Sequence, residues 1–258
     1  FEGFLDQSLR RIMACRSLAN ADDKATLLNF VAILAIKNPR LREVWRRAQE
    51  QEARIIGDLI TATPERWERT KARAQKEGYL PEELPDVSYK QMRDFLEKRE
   101  YKVSVHPMFH LQMELGIFDK VLPLFFSRKW RLFRAPRGVT GFVSSDHPAC
   151  LMWSDPKRRA GLYPPGLGLR GTDLLFPISN ELAMIGSFEG DEREIDMPPI
   201  AVAAINGAFV SYAERQVYAR ESDFLYSLNP DDPPRRGDSL LQDRRFQRPR
   251  LRKAAAKS

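Results

Sequence analysis

Apolar positions in the first half of the chain recur at the three- and four-residue spacing of amphipathic helices, and from about Trp130 they recur every second residue. Phe1, Leu5, Leu9, Ile12 and Met13 mark a first helix. Asn20 or Asp22 caps a second, which holds Leu27, Leu28, Phe30, Val31, Ile33, Leu34 and Ile36. That helix is apolar nearly all round, so it belongs at the centre of the core. Pro39 starts a third, with Leu41, Val44, Trp45, Ala48, Ile55, Ile56 and Leu59 on one side. Thr63–Pro64 pairs a cap with proline at the first helical position and opens a charged, surface helix to about Gly78. Two prolines and three acids make Leu80–Val87 a loop. Ser88 caps a short helix to about Glu100, and His106–Phe126 forms one more, bent near its end by Pro123.

After the change of period, Trp130–Leu132–Arg134 alternates and Gly141–Ser144 is a short apolar run. The two predict a hairpin around Pro136–Arg137–Gly138. Ala149–Trp153 reads as a strand. Asp155–Gly171, rich in Pro, Gly and Arg, reads as a long excursion. Thr172–Pro177 and Glu181–Phe188 read as two more strands, and Pro198–Pro199 opens a last helix over Ile200–Arg220 with Val202, Ile205, Phe209, Tyr212, Ala213 and Val217 on one stripe. Gaps between the strands are too short for crossover helices, so the sheet is expected to be mainly antiparallel. The fold class is α+β: an N-terminal helical half over 1–128, a small sheet with a C-terminal helix packed on it over 129–226, and a disordered basic tail over 227–258.

A chain of 258 residues is long enough to bury about 70–75% of its unfolded surface. The net charge of +7 invites a nucleic-acid partner, but its location changes that picture. From Arg235 to Ser258 there are nine basic and two acidic residues, and the remaining 234 residues carry 33 of each. The tail is therefore the candidate for phosphate-backbone contact, beside the plain reading of a solubilising end. Cys15 and Cys150 do not make a disulfide framework, which suits a reducing, cytoplasmic setting. The longest apolar run, Leu27–Ile36, is far short of the ~20 residues of a membrane span, so no membrane association is expected. The first residue is not Met, so an N-terminal part is expected to be missing.

The most distinctive stretch is Phe142–Val143–Ser144–Ser145–Asp146–His147–Pro148, a β-type run ending in two hydroxyls, a carboxylate, an imidazole and a proline. A carboxylate at a strand end can act as a general base, a metal ligand or an orienter of a histidine. It can equally accept local backbone N–H groups and shape a turn. His106 and His110 share a helix face, but Pro107 stands where a metalloprotease helix has its Glu, and they read as structural. Gly166, Gly168 and Gly171 copy a dinucleotide fingerprint in spacing only, since they precede a strand instead of opening a helix. The better reading of that loop is a carrier of Arg158, Arg159 and Arg170, poised to hold phosphate. Asp173, Glu181 and Asp146 would make an acidic magnesium cluster, yet no lysine follows Glu181 at the spacing that a restriction-type nuclease core uses, and no metal is expected.

These residues resemble a bacterial family, domain of unknown function 4238. Ser145–Asp146–His147–Pro148 resembles its Ser/Thr-Asp-x-Pro motif, and Phe176–Pro177–Ile178–Ser179 its Phe-Pro-Leu-Ser. Asn29–Phe30–Val31–Ala32 with Asn38–Pro39–Arg40–Leu41–Arg42 resembles its helix with an Arg-x-Pro-x-x-Arg ending, with Lys37 at shifted spacing. Trp130 and Ile205–Asn206 also fit. The resemblance covers about Phe1 to Tyr218 and lacks the family's Gln-His-Tyr-Val-Pro-like opening. It implies a fold and a site location only; the cofactor is unknown.

Two functions follow as expectations. One is an enzyme, a nuclease or other phosphate-ester hydrolase in a toxin or defence setting. In it Asp146 and His147 are catalytic, and Ser145, Arg158, Arg159 and Arg170 bind substrate. The other is a non-catalytic module that binds a protein partner through its helical half or nucleic acid through its tail.

Overall fold

The computed structural model describes residues 2–37, 39–79, 87–99, 101–104, 107–138, 140–155, 157–158, 163–229 and 232–242. The chain forms two compact units, Phe1–Ile36 with Leu115–Ser258, and Lys37–Glu114.

The first unit is a sheet covered on both faces. The switch in period falls where the sequence places it: α6 (Pro107–Phe126) is followed at once by β1 (Lys129–Arg134). The other strands are β2 (Ser144–Ser145), β3 (Cys150–Trp153), β4 (Thr172–Pro177), β5 (Leu182–Ser187) and β6 (Glu194–Asp196). The main sheet has the order β3-β4-β5-β1-β6; all its pairings are antiparallel except β1 with β6. On one face Trp130, Leu132, Leu174, Phe176 and Met184 meet Leu27, Leu28 and Val31 of α2 (Ala21–Ile36), Ile12 of α1 (Glu2–Cys15) and Phe125 of α6. On the other, Phe133, Leu175 and Ala183 meet Val202, Phe209 and Val210 of α7 (Pro199–Tyr212). Burial on both faces is why the strands read as short apolar runs.

The predicted helix caps are present. Asn20 Oδ1 accepts the Asp23 amide at 2.9 Å, Thr63 accepts from the Arg66 amide, and Ser88 and Gln91 form a capping box. Asp23 is nearly buried, and the Arg11 guanidinium hydrogen-bonded to it at 2.6 Å holds its carboxyl below the usual range against the opposing effect of burial. A carboxyl depressed in the folded state contributes stability that is fully present above its unfolded pKa of ~4 and is lost progressively as pH falls below that, through the lower folded-state value. The difference in melting temperature between wild type and Asp23→Asn is therefore expected to be larger at pH 7 than at pH 3, as thermal unfolding followed by circular dichroism will read.

Two expectations are corrected. Gly141–Ser144 does not form a hairpin with β1, because both edges of β1 are taken, one by β5 and one by β6. Instead β2 pairs with β7 (Val217–Tyr218) in a separate two-stranded sheet. The last helix ends at Tyr212 and not at Arg220, since the chain beyond it turns to build β7. Further on, β8 (Leu225–Tyr226) pairs with β9 (Arg235–Arg236), and a 3-10 turn covers Gly237–Gln242. The rest of the basic tail, from 243, lies outside the described residues.

The second unit holds α3 (Pro39–Ile60), α4 (Pro64–Lys76), α5 (Tyr89–Lys98) and α6 as far as Glu114. Tyr89 and Arg93 both donate to the Thr61 carbonyl, fixing α5 to the turn between α3 and α4. The apolar stripe read on α3 is not buried: Val44, Ile55, Ile56 and Leu59 are exposed, while Gly57 lies against Leu96 of α5. Arg42 holds the buried Glu114 carboxylate in a bidentate pair.

Candidate functional site

Asp146 follows β2 and is half-buried. Its amide donates to the Gln216 carbonyl at 3.1 Å. Its two carboxylate oxygens accept the Glu214 amide at 2.9 Å and the Arg215 amide at 2.8 Å. The side chain thus fastens β2 to the stretch that leaves α7, and this is the acceptor use of the residue. Ser145 is buried, and its Oγ accepts the His147 amide at 3.2 Å. His147 is also buried, with its ring stacked on that of Tyr212 at 5.8 Å between centroids. The Tyr212 hydroxyl donates to the Leu151 carbonyl.

The predicted arginines sit elsewhere. The Ser145–His147 segment precedes β3 and Arg158 follows it, so the two groups flank a strand whose four residues span about 13 Å. The Arg158 guanidinium lies over the Trp153 ring, 5.6 Å from its centroid. Arg170 is exposed beside Gly171, whose carbonyl accepts the Ser154 amide where β3 and β4 meet. Gly171 has φ +72°, a conformation that glycine adopts without strain. Arg159 and His106 lie outside the described residues, and nothing is described of the His110 side chain. The acids imagined as a magnesium cluster go to separate partners. Asp173 accepts from Ser187 Oγ at 2.6 Å, Glu181 pairs with Arg16, and Asp146 takes the two amides. Among the described residues no group of three His, Cys, Asp or Glu could hold a metal ion.

Sequence reasoning did not find one apolar cavity. It measures about 700 Å³ and lies between α7 and the sheet. Phe133, Met152, Trp153, Leu175 and Ile185 form the sheet wall; Ala204, Gly207, Ala208, Ser211 and Tyr212 form the helix wall; Tyr163–Pro165 and Ser227–Asn229 close the ends. The available signal was the run of small residues at helical spacing on α7 beside its apolar stripe, which leaves a trough wherever the facing strand side chains do not fill it. Two smaller cavities of about 430 and 330 Å³ flank the 136–141 loop and carry Arg137 together with Arg220 and Asp223, or with Arg16 and Asp196. Asp146 lines none of these three.

Two buried polar residues, also not singled out for this, hold the cavity's surroundings. Asn206 accepts the Val143 amide at 3.0 Å and donates to the Gly141 and Leu225 carbonyls at 2.9 and 2.8 Å. Arg128 donates to the carbonyls of Leu167, Thr172 and Gly186 and packs on Phe188. Burial pushes its guanidinium down to about 10, with Asp173 and Glu189 opposing the shift.

Fold and site together define an α+β domain with a mixed sheet between helical layers and an apolar cavity under its last helix. The chain belongs to the family described as protein of unknown function, DUF4238, which matches it over residues 1–223. No curated protein and no solved structure matches it. Among the described residues, no helix is long and apolar enough to cross a membrane.

Proposed function

We propose that this protein is a non-catalytic binding module whose site is the cavity between the sheet and α7, and that it takes a small molecule with an apolar body. The observation that carries this reading is the cavity itself. Its volume of about 700 Å³ falls in the range of small-molecule pockets, and its walls are aromatic and aliphatic with few polar groups. The hydrolase reading, with its toxin or defence setting, has less support. A general base needs a lone pair aimed at the proton it removes. Both Asp146 oxygens are engaged by amides, and His147 meets Tyr212, the residue that itself lines the cavity.

The test is titration with N-phenyl-1-naphthylamine, an uncharged aromatic probe whose fluorescence rises in apolar surroundings. Wild type is expected to bind one equivalent saturably. Ala208→Trp, which fills the helix wall, is expected to abolish binding while retaining the circular dichroism spectrum. Ala204→Phe, at an exposed position on the same wall, serves if the first variant does not fold. Absence of saturable binding to wild type, or equal binding by a folded filled variant, would remove the reading.

A further inference from the structure

The cavity is apolar, but its rim is not. Trp153 forms part of the wall, and its indole Nε1 donates to the Tyr163 carbonyl at 3.2 Å, so the ring is held in place. Over that ring lies the exposed guanidinium of Arg158. The backbone under Arg158 is fixed as well: its amide donates to the Asp155 carbonyl at 3.1 Å, and the Lys157 amide donates to Asp155 Oδ1 at 2.9 Å. A guanidinium held over an aromatic ring in this way still has N–H groups available to an anion. Among the described residues Arg158 makes no ion pair, whereas Arg11, Arg16 and Arg134 each pair with a carboxylate. The stretch joining β3 to β4 carries Lys157, Arg158, Arg159 and Arg170 against a single carboxylate, Asp155, one oxygen of which takes the Lys157 amide.

We infer that the ligand of this cavity is a free amphipathic anion, its apolar body between the sheet and α7 and its charge on Arg158 at the Trp153 rim. This rests on the cavity being the binding site. An anion placed there meets a charge that is already oriented, so little side-chain ordering opposes binding. An uncharged ligand of the same shape gains only the apolar contact. A cation is repelled by the Arg158 charge.

The experiment compares two probes with the same aromatic body. 8-Anilino-1-naphthalenesulfonate carries an anion; N-phenyl-1-naphthylamine carries none. Wild type is expected to bind the sulfonate about three- to fivefold more tightly than the neutral probe, as one charge-assisted contact at an exposed site gives. Arg158→Gln is expected to remove that preference and leave the neutral probe unchanged, while Arg73→Gln, an exposed control in the second unit, alters neither. Both probes are titrated into the full chain, and melting curves confirm that each variant is folded. If the neutral probe binds but the sulfonate binds no better, or Arg158→Gln keeps the preference, the inference falls and the cavity reading stands. If neither probe binds, both fall.

Discussion

Gly207→Ala is expected to lower the melting temperature by roughly 5–10 °C, equivalent to about 2–3 kcal/mol for a protein of this size. On propensity alone, replacing a glycine inside a helix by alanine stabilises by ~1 kcal/mol. Here the sign reverses. Gly207 lies on the side of α7 that touches residues 227–228, and a Cβ there would overlap the Ser227 carbonyl oxygen and press on its carbon. The obstacle is backbone, and that backbone is held, since the Ser227 amide donates to the Ala203 carbonyl at 2.9 Å and its hydroxyl to the Asn229 and Asp232 carbonyls. The strand or the helix must shift. Because Ser227–Asn229 closes one end of the cavity, the same change is expected to weaken binding of the neutral naphthylamine probe. Thermal unfolding together with that titration checks both parts; a melting temperature at or above wild type would show that the close approach is not real.

Asn206→Ala is expected to cost about 3 kcal/mol, as three hydrogen bonds to otherwise secured backbone are lost and the buried Val143 amide is left without its acceptor. The side chain is fully buried and uses its acceptor and both donor hydrogens. Asn206→Asp should be worse than alanine, because a carboxylate would face the Gly141 and Leu225 carbonyls with no hydrogen to offer. Denaturant unfolding of the three proteins should rank them wild type, alanine, aspartate. An aspartate variant as stable as wild type would contradict the bonding pattern.

Particular elements show what was legible in the sequence. The change of period near Trp130 marked the passage from helices to sheet because β1 buries Trp130 and Leu132 while Lys129 stays exposed and Arg131 is only partly buried. The β4–β5 hairpin was visible because Ile178–Asn180 is a short polar break between two apolar runs. The end of α7 was not. Val217 continues the helical spacing, and the carboxylate that secures the departing chain belongs to Asp146, 68 residues before the amide of Glu214. The false β1–β2 hairpin has the same origin: it looked right locally, and distant strands had already taken both edges of β1. For the site, the Ser145–Pro148 segment stood out because its residue types are unusual at a strand end, but their use depends on partners far along the chain. The cavity was invisible for a different reason. Ala204, Gly207 and Ala208 look like ordinary filler in a helix, and a void is defined by the side chains that fail to reach it.

The buried Arg128 has a consequence for the long stretch joining β3 to β4. That stretch is pinned where it leaves the sheet, by the Ser154 amide on the Gly171 carbonyl, and again before it returns, by Arg128 on Leu167 and Thr172. Between those anchors its length is uncoupled from the alignment of the two strands. Insertions or deletions there can resize the rim around Trp153 while Cys150 stays opposite Leu175, so the mouth of the cavity can change without disturbing the scaffold.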